Sequence, residues 1–113
     1  MTTKEFVKNF CQEKQSILNS CFDNQSEYKT LVSTKIEELS LNKIQTEKLK
    51  EIFSDLLTDT FYSILHGLDG SASIGNSQES FKIFDEDDNL ISDGSGDLEG
   101  FAYEYFHGNK FPK

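Results

Sequence analysis

Arginine is absent from this 113-residue chain: all eleven basic side chains are lysine, against twenty acidic ones, for a net charge of -9. Phosphate recognition favours the planar, bidentate guanidinium, and nucleic-acid binding needs a positive stripe, so no nucleic-acid ligand is expected. An acidic membrane surface is disfavoured on the same ground. No uncharged apolar run approaches the roughly 18 residues of a bilayer span. The opening Met1-Thr2-Thr3-Lys4-Glu5-Phe6 reaches an acidic residue at once instead of building the apolar stretch of a signal peptide, and a cytoplasmic location is the expectation.

Metal and nucleophile motifs are equally scarce. Two cysteines and two histidines occur without Cys-x-x-Cys or His-x-x-x-His spacing, which argues against zinc. An EF-hand loop starting at Asp85 would need Gly at Leu90 and Glu at Gly96. One starting at Asp93 finds Ser95, Asp97 and Glu104 at ligand-like offsets but Leu98 in place of the turn glycine. Gly70-Ser71-Ala72-Ser73-Ile74-Gly75 lacks the lysine and the helix that follow a phosphate loop, and no Gly-x-Ser-x-Gly elbow is present. Neither cofactor nor metal is expected.

Tryptophan is missing too, but ten Phe and four Tyr supply enough large apolar bodies for one packed core, so residues 1–113 read as a single domain. From about Thr3 to Phe22, Phe6, Phe10, Ile17 and Cys21 flank Val7, Cys11, Leu18 and Phe22 at helical spacing, with Thr2 and Glu5 placed as a capping box. On one helix, the ten-residue spacing of Cys11 and Cys21 separates their Cα atoms by ~15 Å, too far for a disulfide. A second helix is predicted over roughly Ser26 to Leu39, its inner face formed by Tyr28, Leu31, Val32, Lys35, Ile36 and Leu39. A third runs from Thr46 as N-cap to His66, ended by Gly67. Leu49, Ile52, Phe53, Leu56, Leu57, Phe61, Ile64 and Leu65 give it a wide apolar arc, which predicts burial between neighbours.

Beyond Gly67 the pattern turns to strand and loop. Ser80–Phe84 reads as a strand, Asp85–Asn89 as its turn and Leu90–Ser92 as a hairpin partner that must pack on the helices or pair with residues 71–75. Asp97 is the expected N-cap of a last helix reaching His107. The fold class is therefore α+β: three N-terminal helices, a short β-hairpin or small antiparallel sheet, and one C-terminal helix.

Charge is divided unevenly along this order. Residues 1–50 hold eight Lys and seven acids, whereas residues 51–113 hold three Lys and thirteen, a balance of +1 against -10. Asp85, Glu86, Asp87 and Asp88 at the hairpin tip, with Asp93 and Glu99 beyond, read either as a solvated turn or as a docking surface for a basic partner. Asp55, Asp59, Tyr62 and His66 fall on one stripe of the third helix, raw material for acid–base chemistry if Asp69 orients His66, or simply a solvated face.

The run Thr60-Phe61-Tyr62-Ser63-Ile64-Leu65-His66-Gly67-Leu68-Asp69-Gly70-Ser71-Ala72-Ser73-Ile74-Gly75, then a strand, an acidic turn, Asp97-Leu98-Glu99 and Tyr105-Phe106-His107-Gly108, resembles small bacterial proteins of the kind that includes immunity proteins. That resemblance implies binding and inhibition, the acidic half covering the basic face of a toxin domain.

Overall fold

The structure, a computed structural model, describes residues 1–23 and 25–108. In chain order these form α1 (Thr3–Phe22), α2 (Leu31–Glu38), α3 (Lys43–Leu68), the strands β1 (Ile83–Phe84) and β2 (Leu90–Ser92), and α4 (Asp97–Phe106). The α+β arrangement expected from the sequence is the one observed.

α1 begins where its local chemistry dictates: Thr2 accepts the backbone N–H of Glu5 while the Glu5 carboxylate accepts from the Thr2 backbone. Its buried stripe of Val7, Cys11, Lys14, Leu18 and Cys21 follows the helical period. α3 runs antiparallel to it, as the facing pairs Phe10–Phe61, Lys14–Thr58 and Phe22–Phe53 show. Lys14 is the departure from the apolar pattern. Its ammonium is buried and donates to the Thr58 hydroxyl at 2.7 Å, so a polar residue on α3 answers the charge on α1.

α4 packs across both long helices at one end. Val7, Cys11, Leu65, Leu98, Ala102, Tyr105 and Phe106 make the buried core there, with Phe61 bridging the rings of Phe10 and Phe106 at 5.7 and 6.4 Å. The hairpin leans on α1, to which Ile91 turns its buried side chain and from which the Thr3 hydroxyl donates to the Ile91 carbonyl. The pairs Ile83↔Ser92 and Phe84↔Leu90 leave Ile91 as the extra residue of a bulge in β2. Since α3 alone is ~39 Å long, the molecule extends to 46 × 28 × 28 Å. One end is thick with α4 and the hairpin; among the described residues, the other holds the end of α1, α2 and the start of α3.

Several boundaries differ from expectation. α2 is short because Thr30, reciprocally bonded with Ser33, caps it late, and its proposed inner face is largely bare: Tyr28 is 86% and Leu31 83% exposed. α3 starts earlier than Thr46 because Asn42 and Gln45 form a capping box, and it continues past Gly67 to Leu68. β1 keeps only Ile83–Phe84 of the expected Ser80–Phe84 strand. The 71–75 segment does not join the hairpin; Ile74 instead bridges Ser77 in its own turn. The apolar arc of α3 is covered on one side only, with Leu65 fully buried but Leu56 61% exposed.

Both cysteines are free and buried on α1. Burial pushes the Cys11 thiol up to about 11 and raises that of Cys21 as well.

The two ends predict opposite outcomes for the same substitution. Leu65→Ala should lower unfolding free energy in urea by about 2–5 kcal/mol with an unchanged m value. Leu56→Ala, measured in dilute protein, should stay within about 1 kcal/mol of the parent. Equal losses would contradict the one-sided burial of α3.

Candidate functional site

The end of α3 organises everything that follows it. Gly70, at φ +79°, supplies the left-handed residue of a Schellman turn: its N–H donates to the Gly67 carbonyl and that of Ser71 to the His66 carbonyl. Gly67 serves a different purpose from ending the helix. A Cβ there would sit 2.3 Å from Cγ1 of Ile74, so only glycine lets the returning loop lie against α3.

Asp69, the last residue before that turn, is buried with its carboxylate aimed at α4. One oxygen accepts the Gly96 N–H at 3.2 Å and the other the Glu99 N–H at 2.9 Å. These are the N-cap and N3 amides of α4, whose own N-cap is Gly96 and offers no side chain. Asp97, expected as the cap, is instead the exposed first helical residue. Asp69 therefore does not orient His66, as the sequence had suggested it could; it caps another helix.

Capping places Glu99 over α3, where the half-buried Tyr62 hydroxyl donates to its carboxylate at 2.7 Å. The ring of Tyr62 meets His66 and His107 edge-on at 5.4 and 4.7 Å. Burial and then the Glu99 hydrogen bond push the Tyr62 phenol up to about 12. Asp55 and Asp59 stay on the exposed surface of α3, so the helix stripe divides: Tyr62 turns toward α4 with His66 against its ring, and the two carboxylates face solvent.

The acids of the hairpin divide in the same way. The Asp85 carboxylate accepts the backbone N–H groups of Asp87 and Asn89, the Asn89 amide and the terminal amine of Met1. The Met1 ammonium and then the backbone donors hold its carboxyl well below the usual carboxylate range, and Asp85 in turn raises the Met1 amine. Asp85 builds the turn. Glu86, Asp87 and Asp88 then project from it exposed, with Asp88 in the left-handed region at φ 63°. Asp93 is exposed and accepts the Ser95 N–H, and Glu99 is the half-buried partner of Tyr62. Of the six acids singled out from the sequence, only the three at the tip form a contiguous exposed group.

Beside that tip lies a groove of about 450 Å³ between α1 and the hairpin, walled mainly by Phe6, Phe10, Ile83, Phe84 and Ile91. Glu13 stands at its α1 side, and Asp85 marks the edge from which the free acids continue. Sequence reasoning missed this apolar floor. Its signal was Phe84, a large apolar residue placed directly against an acidic turn and left 53% exposed.

Among the described residues, no three His, Cys, Asp or Glu side chains converge as a metal site would require, and no helix is long and apolar enough to cross a membrane. The chain matches no family model, no curated protein and no solved structure.

The tyrosine assignment can be read by absorbance. Tyr62 should ionise near pH 12, above an ordinary tyrosine near 10, and Glu99→Gln should bring that step down. Because the folded-state value is the higher one, the stabilisation tied to this proton is complete below about pH 10 and fades as pH rises toward 12. Tyr62→Phe should flatten the stability profile in that window; an unchanged profile would contradict the assignment.

Proposed function

We propose that this chain is an acidic protein-binding module that docks a basic partner domain along the groove between α1 and the hairpin, acting as an immunity protein that neutralises a toxin. The observation that carries the reading is the coincidence of an apolar groove with an acidic rim: Phe6, Phe10, Phe84 and Ile91 line the groove, and Glu86, Asp87 and Asp88 continue from its edge. Such a surface separates two tasks. The charged tip draws in a basic surface and rejects acidic ones, while the apolar floor offers a pocket for an aromatic or aliphatic anchor that holds the partner once seated. Neutralisation by cover requires no reacting group, only that the bound module occlude the partner's working face.

The charge balance of -10 over residues 51–113 supports the same reading, because it places the steering field on the half of the chain that bears the tip. Asp85 contributes to the rim chiefly by shaping the turn, its carboxylate being engaged four times over by nearby donors.

Rate measurements on the partner captured from the native organism test both halves. Reversing Glu86, Asp87 and Asp88 to Lys should slow association on the order of tenfold at low salt, and raising ionic strength, with the Debye length falling from ~30 Å at 0.01 M to ~8 Å at 0.15 M, should shrink the difference. Phe84→Ala should leave association nearly unchanged and speed dissociation. A partner that binds the triple variant as fast as the parent at low salt would sink the role of the tip.

A further inference from the structure

A second surface, remote from the groove, has a different chemistry. Around α3, Leu49, Ile52 and Leu56 follow at spacings of three and four, and they lie ~170° round the helix from the buried Thr58 and Leu65. Leu49 is half-buried, Ile52 is 51% and Leu56 61% exposed, so this face is apolar yet turned away from both α1 and α4. Soluble chains manage such a stripe by covering it. Lys48 and Asp55, both exposed, line one side of it one heptad apart, and Lys48 makes a long 3.6 Å contact to Glu51 on its own helix.

We propose that this face of α3 pairs with the same face of a second copy, the two helices antiparallel. Antiparallel packing seats Leu49 of each copy against Ile52 of the other, and the two-fold axis passes between residues 50 and 51. Leu56 then meets Gln45, which is exposed at the start of the same stripe. In this register Lys48 of each copy faces Asp55 of the other, so the interface is framed by two opposite-charge pairs. Parallel pairing would set Lys48 against Phe53 and Asp55 against Thr60, with no charge answered. The charges thus select both the occupant and its direction: a second copy, reversed. Pairing joins the thin ends of the two molecules and leaves each groove, beside the hairpin at the thick end, open to its own partner.

Sedimentation equilibrium of the full chain tests this from about 10 μM to about 1 mM, the range in which a modest helix-pair interface is populated. The parent should show a concentration-dependent dimer. Ile52→Asp, at a position half exposed in the single chain, should remain folded by circular dichroism and sediment as monomer. Lys48→Glu alone and Asp55→Lys alone should each weaken the dimer several-fold, while Lys48→Glu combined with Asp55→Lys should restore it. A parent that stays monomeric at the highest concentration overturns the proposal and leaves the face to a different protein. Dimerisation that survives Ile52→Asp, or a double variant no tighter than the singles, overturns it as well.

Discussion

The buried carboxylate of Asp69 is the interaction on which the thick end of this molecule depends. A helix N-terminus presents N–H groups without intrahelical partners, and α4 begins at Gly96, which has no side chain to satisfy them. Asp69 takes the N-cap and N3 amides with its two oxygens and sets a negative charge at the positive end of the helix dipole. Burying that carboxylate would be costly alone; two amide donors offset its lost hydration. Because Asp69 is also the residue that closes α3, one side chain fixes the last turn of one helix against the first turn of another. Leu98, Ala102 and Phe106 then fall onto α1 and α3, and Glu99 comes within reach of Tyr62.

Everything near that junction is pressed close. A Cβ on Gly70 would lie 2.5 Å from the Ser80 hydroxyl and one on Gly94 3.0 Å from it, so the exit from α3, the approach to the hairpin and the approach to α4 meet at one point. The hairpin is held from there and by α1, which gives the acidic tip a rigid base beside the groove. Among the described residues, the thin end has no such junction. α2 is a short helix with one buried residue, Ser33, and α3 there turns apolar side chains outward. The proposed groove thus sits on the fixed part of the molecule and the proposed pairing face on the sparse part.

Local signals in the sequence carried over well to the structure. The capping box of Thr2 and Glu5, the stripe from Val7 to Cys21 and the strand Leu90–Ser92 all lie where periodicity and turn chemistry place them. What escaped was non-local. Asp69 reaches amides 27 and 30 residues away, whereas local rules favour Asp97, one residue too late. Helical spacing identified apolar faces on α2 and α3 but says nothing of what covers them, so Tyr28, Leu31 and Leu56 looked buried. Lys14 reads as an interruption of α1 until Thr58 is seen opposite it. The acidic run looked uniform as letters; the hydrogen bonds of its carboxylate separate Asp85, which builds the turn, from the three acids that project from it.

The capping role is tested most directly by comparing Asp69→Ala with Asp97→Ala in urea unfolding and amide hydrogen exchange. If Asp69 caps α4, its removal leaves two amides without their acceptor and should cost about 2–4 kcal/mol, with lost protection concentrated at Gly96 and Glu99. Asp97→Ala should cost about 1 kcal/mol or less, the share of an exposed acid in a helix's first turn. An Asp69→Ala variant no less stable than Asp97→Ala, with protection at Gly96 and Glu99 intact, would contradict the role assigned to that carboxylate.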